Sequence, residues 1–131
     1  MEPKLRQLFD EQLDLVLANM PQQVHNLLNK VPLVVEDYPS PEVMRRVRVR
    51  HRNSLCGLYT GIPLTRRSIN DWGVPSDVIH IFRQGILSSI GGLRHAVDPA
   101  VLREQIRITI LHELGHHHGM TESELRELGY G

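Results

Sequence analysis

His112, Glu113 and His116 stand in the order His-Glu-Leu-Gly-His, and two histidines four apart with a carboxylate beside the first form a spacing suited to metal chemistry. On an α-helix, residues i and i+4 project from one face about a turn apart, so both imidazoles can reach one zinc ion at about 2.0–2.1 Å. Glu113 can then take a proton from water that zinc acidifies from a pKa of about 15.7 towards about 7. This is the logic of metal-assisted amide hydrolysis. A catalytic zinc also needs a third protein ligand, and the pattern continues as His112-Glu113-x-x-His116-x-x-Gly119-x-x-Glu122. A left-handed turn at Gly119 could fold the chain back so that Glu122 faces the two imidazoles. Two plainer readings stay open: the histidines can be ordinary surface residues of a helix, and Glu122 can simply sit at the start of a last helix, favoured by its dipole.

Other side chains compete for the same roles. At about 100° per residue, His117 and His118 are carried off the His112/His116 face and are expected to support the site or face solvent. Glu124 is better placed as a capping residue, and Glu127 is less well placed than Glu122. His80 and His95 could reach in from elsewhere, His80 in particular if its strand forms the sheet edge beside the site. Tyr130 and His80 can each donate a hydrogen bond to a developing oxyanion. Cys56 lacks any local nucleophile signature and is read as a small buried residue.

The elements that must position these groups follow from periodicity. Leu5, Leu8, Phe9, Leu13, Val16, Leu17 and Met20 form one helical stripe, and Val24, Leu27, Leu28 and Val31 repeat it after Pro21. Leu33-Val34-Val35, Leu58 to Ile62 and Val78 to Phe82 read as short strands bounded by Gly or Pro, with a loop at Trp72-Gly73-Val74-Pro75. Ser40-Pro41 is a good helix start, yet Val47-Arg48-Val49-Arg50 alternates like a strand, and the spacing does not decide between them. Gly85, Gly91 and Gly92 predict no long helix there, only a short apolar turn at Ile86, Leu87 and Ile90. Asp98 and Pro99 start a helix running to Gly119. Val101, Leu102, Ile106, Ile108, Ile110, Leu111 and Leu114 make it apolar around most of its girth, hence central and buried. Thr121 and Glu124 then form a capping box for a last short helix ending near Gly129.

The chain of 131 residues has the size of one domain and carries 15 basic and 15 acidic side chains. With no net field, neither a membrane nor nucleic acid is an expected partner. The Arg45-Arg46-Val47-Arg48-Val49-Arg50-His51-Arg52 run is a possible nucleic-acid or acidic-partner patch, although a solvated face explains it more simply. The single Cys56 rules out an intramolecular disulfide and a cysteine-rich zinc site. With no apolar leader or membrane span at the N-terminus, these features predict a cytoplasmic protein.

Beyond the motif, the sequence resembles the minimal zincin-like metallopeptidases, small bacterial proteins. The likeness rests on the acidic opening helix, Val34-Val35-Glu36-Asp37, Gly57-Leu58-Tyr59-Thr60-Gly61-Ile62-Pro63-Leu64-Thr65, Ile79-His80-Ile81-Phe82-Arg83 and His112-Glu113-Leu114-Gly115-His116-His117-His118-Gly119-Met120. The arginine-rich run departs from it, being more basic than the family leads one to expect. The resemblance implies an α+β fold over residues 1–131 as a single minimal zincin-like domain. In it a small mixed β-sheet packs against helices, and the motif lies on a buried C-terminal helix. It further implies a zinc metallopeptidase acting on a peptide or protein substrate, with Zn2+ on His112, His116 and Glu122 and Glu113 as general base. An extended substrate would pair by β-addition with the strand near Ile79 to Phe82. The alternative is a non-catalytic metal-binding or protein-interaction module.

Overall fold

The structure is a computed structural model that describes residues 1–61 and 77–127. Ile62, the Trp72–Pro75 loop, Gly129 and Tyr130 lie outside the described residues. Helix α1 (Pro3–Ala18) opens with Glu2, whose carboxylate accepts hydrogen bonds from the Lys4 and Leu5 amides, and buries Phe9, Leu13 and Val16. Helix α2 (Gln22–Leu28) follows Pro21. Strand β1 (Leu33–Glu36) leads to helix α3 (Pro41–Val47), which the Ser40 hydroxyl caps by accepting from the Val43 amide at 3.2 Å. Where the spacing was undecided, the cap prevails. Arg48 closes the helix in a left-handed conformation, φ 59°, and Val49 N–H bonds back to the Met44 carbonyl, so Val47–Arg50 does not pair as a strand.

Strands β2 (Gly57–Thr60) and β3 (Val78–Phe82) complete a mixed sheet of order β1-β3-β2, parallel between β1 and β3 and antiparallel between β2 and β3. Ile79 and Ile81 point to the helical side and are fully buried, whereas His80 sits on the other face. Among the described residues β3 is central, paired with β1 on one side and β2 on the other, so it offers no open edge and the expectation of substrate pairing along it is corrected. Helix α4 (Arg83–Ser89) is a true helix despite Gly85. Helices α5 (Pro99–His117) and α6 (Glu122–Glu127) end the described chain.

Helix α5 packs on α1, α4, β2 and β3. Its buried stripe runs through Leu102, Ile106, Ile110 and Leu114, but Val101 is 48% exposed, so the helix is buried along one side rather than all round. The fold is thus α+β, with its core between the sheet and the α1/α5 pair. Among the described residues no helix is long and apolar enough to cross a membrane.

A half-buried charge network ties the periphery together. Arg83 reaches Asp10 at 2.9 Å and Asp37 at 3.0 Å, and Asp37 also pairs with Arg6. The Arg6 guanidinium, by its hydrogen bonds, holds the Asp37 carboxyl below the usual range against the opposing effect of burial. The network joins α1, the end of β1 and the start of α4, which orients the strand that anchors the sheet.

Gly85 reveals how tightly α4 meets the chain entering β2. A Cβ there would stand 1.9 Å from the Leu55 carbonyl oxygen, a backbone atom with nowhere to go. Helix propensity alone favours Gly85→Ala by up to about 1 kcal/mol. The clash reverses the sign: the variant is expected to lose about 1–3 kcal/mol in urea unfolding, and a gain in stability would contradict this packing.

Candidate metal centre

Helix α5 carries His112 and His116 on neighbouring turns, and their Nε2 atoms approach to 3.1 Å. The helix ends in a double reversal. Gly119 N–H bonds to the His116 carbonyl and Met120 N–H to the Gly115 carbonyl, with Gly119 at φ 80°. This is a Schellman turn, whose left-handed residue is cheap only for glycine. Thr121 then starts α6 through a capping box: its hydroxyl accepts from the Glu124 amide at 3.2 Å while the Glu124 carboxylate accepts from the Thr121 amide at 3.3 Å. Glu124 is thereby committed to capping. Glu122, the next residue after Thr121, returns to the helix face it left, with Oε1 2.9 Å from His116 Nε2 and 3.3 Å from His112 Nε2.

The three atoms form a compact triangle with sides of 2.9, 3.1 and 3.3 Å. A tetrahedral zinc with bonds of about 2.0–2.1 Å has ligand–ligand edges of roughly 3.3–3.4 Å. Two imidazole nitrogens and a carboxylate oxygen at nearly that spacing can hold such an ion. Glu113 also belongs to the cluster, since its ligand atom lies within 4.8 Å of those of His112 and His116. Yet its nearest approach to His112 Nε2 is 3.8 Å, so Glu122 is the better third donor and Glu113 stands one step behind.

Glu113 lies on the stripe of α5 that faces the core, and its side chain is only 9% exposed. Burial pushes its carboxyl up, while the nearby His112 and His116 and a hydrogen bond from the Tyr59 amide pull it back down. That amide is available because of strand register. Phe82 N–H bonds to the Cys56 carbonyl, so in the alternating antiparallel ladder Leu58 faces β3 and Gly57 and Tyr59 turn their backbone groups to the outer edge. The edge of β2 therefore runs beside the triangle, and the two together wall a cleft of about 720 Å³ that Val47, Val49, Leu55 and Met120 also line.

The remaining candidates separate clearly. His117 is buried and its Nδ1 lies 2.6 Å from Asp77 Oδ2, itself buried, while its ring meets the Tyr59 ring edge-on at 5.7 Å. His118 and His95 are exposed. His80 lies 3.0 Å from Glu36 and lines the neighbouring cavity rather than this cleft. Glu127 is exposed on α6. Cys56 is half-buried, and burial raises its thiol pKa, the opposite of an activated nucleophile. Two contributors escaped the sequence reading, Asp77 and the Tyr59 amide. Both act through pairings 40 and 54 residues apart along the chain, 117 less 77 and 113 less 59, for which no local pattern exists.

A family model described as zincin-like metallopeptidase matches residues 28–131. No curated protein matches the chain.

The Asp77–His117 pair anchors the last turn of α5 to the residue that enters β3. Removing the acid takes from a buried imidazole the carboxylate 2.6 Å away. Asp77→Ala is expected to cost about 2–3 kcal/mol in urea unfolding under chelator, and Asp77→Asn less. Equal, negligible effects for both would show that the pair does not secure the helix end.

Proposed function

The chain belongs to the zincin-like metallopeptidase family, and on that premise we propose that it hydrolyses peptide bonds with a zinc ion held by His112, His116 and Glu122 and with Glu113 as general base. The observation that carries this reading is the convergence of His112 Nε2, His116 Nε2 and Glu122 Oε1 within 3.3 Å of one another at the head of an open cleft.

Zinc, when bound, supplies a Lewis acid that polarises a carbonyl and acidifies water. The chain's own groups do the rest. Glu113 stands beside the three donors with its carboxyl raised by burial and restrained by two imidazoles, a balance suited to accepting a proton from attacking water and returning it to the departing amine. The Tyr59 amide holds that carboxylate in place against the helix. With the Tyr59 amide committed to Glu113, the outward backbone groups of Gly57 are what this edge offers an extended peptide, and main-chain pairing of this kind aligns a scissile bond without demanding particular side chains. His80 is turned into the next cavity, so its suggested role at an oxyanion is replaced by pairing with Glu36.

Two substitutions separate metal holding from proton transfer. Tag-free protein should carry about one zinc per chain by elemental analysis. Glu122→Ala is expected to weaken zinc by more than about tenfold in a competition titration with a chromophoric chelator, because a three-ligand site becomes a two-ligand one. Glu113→Gln should keep the zinc and lose about 10²- to 10⁴-fold in kcat on any peptide the parent cleaves. Full activity in Glu113→Gln would sink the general-base role. A zinc-loaded parent that cleaves no member of a broad peptide library would favour a non-catalytic metal module.

A further inference from the structure

Between Glu42 and Gly61 the chain has no Asp or Glu but five arginines, Arg45, Arg46, Arg48, Arg50 and Arg52. All five are exposed, and among the described residues no carboxylate pairs with them. In a protein of zero net charge this is a local positive strip. Its position matters more than its sign. Val47 and Val49, interleaved with the arginines, line the cleft of the metal centre, and Arg46 lines a second cavity of about 600 Å³ on the other side of β2.

The two cavities share Val47, Leu58, Tyr59 and Gly61 in their linings, so they adjoin across β2. The second chamber has an apolar floor in Val43, Leu58 and Phe82, with Arg46, His80 and Glu36 as its charged groups. Glu36 is engaged with His80 at 3.0 Å. Ser40, also on the wall, accepts the Val43 amide. Among the described residues Arg46 is thus the uncommitted charge of the chamber, and a guanidinium presents a planar fork of donors matched to a carboxylate.

We infer that this strip selects acidic polypeptides as substrates, with Arg46 receiving an Asp or Glu side chain in the second chamber while the neighbouring arginines draw in the flanking segment. The inference rests on the peptidase reading and names its substrate class. An aspartate or glutamate fits both requirements, since its methylenes meet the apolar floor and its carboxylate meets Arg46. The surrounding arginines act at longer range, raising the local concentration of acidic chain segments and steering their approach. Polynucleotide would satisfy the charges but not the groove. Base stacking needs exposed aromatic faces among the cations, and no Phe, Tyr or Trp stands between Arg45 and Arg52, the nearby Tyr38 ring having the Arg52 guanidinium 4.5 Å from its centre.

The test uses the full-length zinc-loaded protein and two fluorogenic peptide libraries identical except that their flanks carry Glu or Lys. The parent should cleave the Glu library with kcat/KM about three- to tenfold higher, the range expected of one partly screened arginine–carboxylate pair with weaker neighbours. The ratio should shrink as salt is raised, fall towards parity in Arg46→Gln, and invert in Arg46→Glu. A ratio of one in the parent, or a ratio unchanged in both variants, overturns the inference. Binding is read separately in Glu113→Gln by fluorescence anisotropy with labelled Glu- and Lys-flanked peptides and with single-stranded DNA. If the Glu peptide binds best and Arg46→Glu abolishes that preference while the parent cleaves nothing, acidic-chain recognition stands and the hydrolase reading falls. Tighter binding of the DNA than of the Glu peptide overturns the inference in favour of a nucleic-acid surface.

Discussion

The helical repeat of α5 is the constraint from which the rest of the site descends. At 3.6 residues per turn, the residues that bring two imidazoles to one point also turn their immediate neighbours by about 100°. Glu113 and His117 are therefore carried onto the same side as Leu102, Ile106 and Ile110, the side that must be buried. An ionisable residue at each of two core-facing positions would ordinarily be a defect. Here each has a partner supplied by the sheet: the Tyr59 amide for Glu113, and Asp77 for His117.

This arrangement couples the fold to the chemistry. The edge of β2 must lie close to α5 for its amide to reach Glu113, and the same edge then borders the cleft. Burial and the two histidines act on the Glu113 carboxyl in opposite directions, so its proton affinity depends on how deeply the helix seats against the sheet. Packing at a distance enters here. The contact of Gly85 with the Leu55 carbonyl and the Asp10–Arg83–Asp37–Arg6 network hold the two ends of the sheet against the helices.

The side opposite α5 carries a different logic. Helix α3 has no fully buried residue and meets the outer face of the sheet across the second cavity, so its sequence is free to vary in charge without disturbing the core. Solvated arginines can accumulate there at little cost, and Val47 and Val49 between them still contribute to the groove. A positive wall beside a cleft headed by two carboxylates, Glu113 and Glu122, sets a charge gradient along the groove, although the chain as a whole is neutral.

What the sequence alone determined is the local part: the motif on a helix, the turn at Gly119 and the Thr121–Glu124 cap, with the return of Glu122 as one of two readings left open. Each depends on residues within about a dozen positions, where backbone geometry and hydrogen bonding act directly. The strands were also visible as apolar runs between breakers. Their order was not, and placing Val78–Phe82 in the centre left β1 and β2 as the outer strands among the described residues. Helix or strand at Val47–Arg50, the exposure of Val101 and the true helix at Gly85 likewise required the whole fold, because each turns on which distant surface arrives to cover the segment. Asp77 and the Tyr59 amide belong to this second class. Their partners are brought together only by sheet pairing and helix packing, and a backbone amide reports nothing of its neighbours in the identity of its side chain.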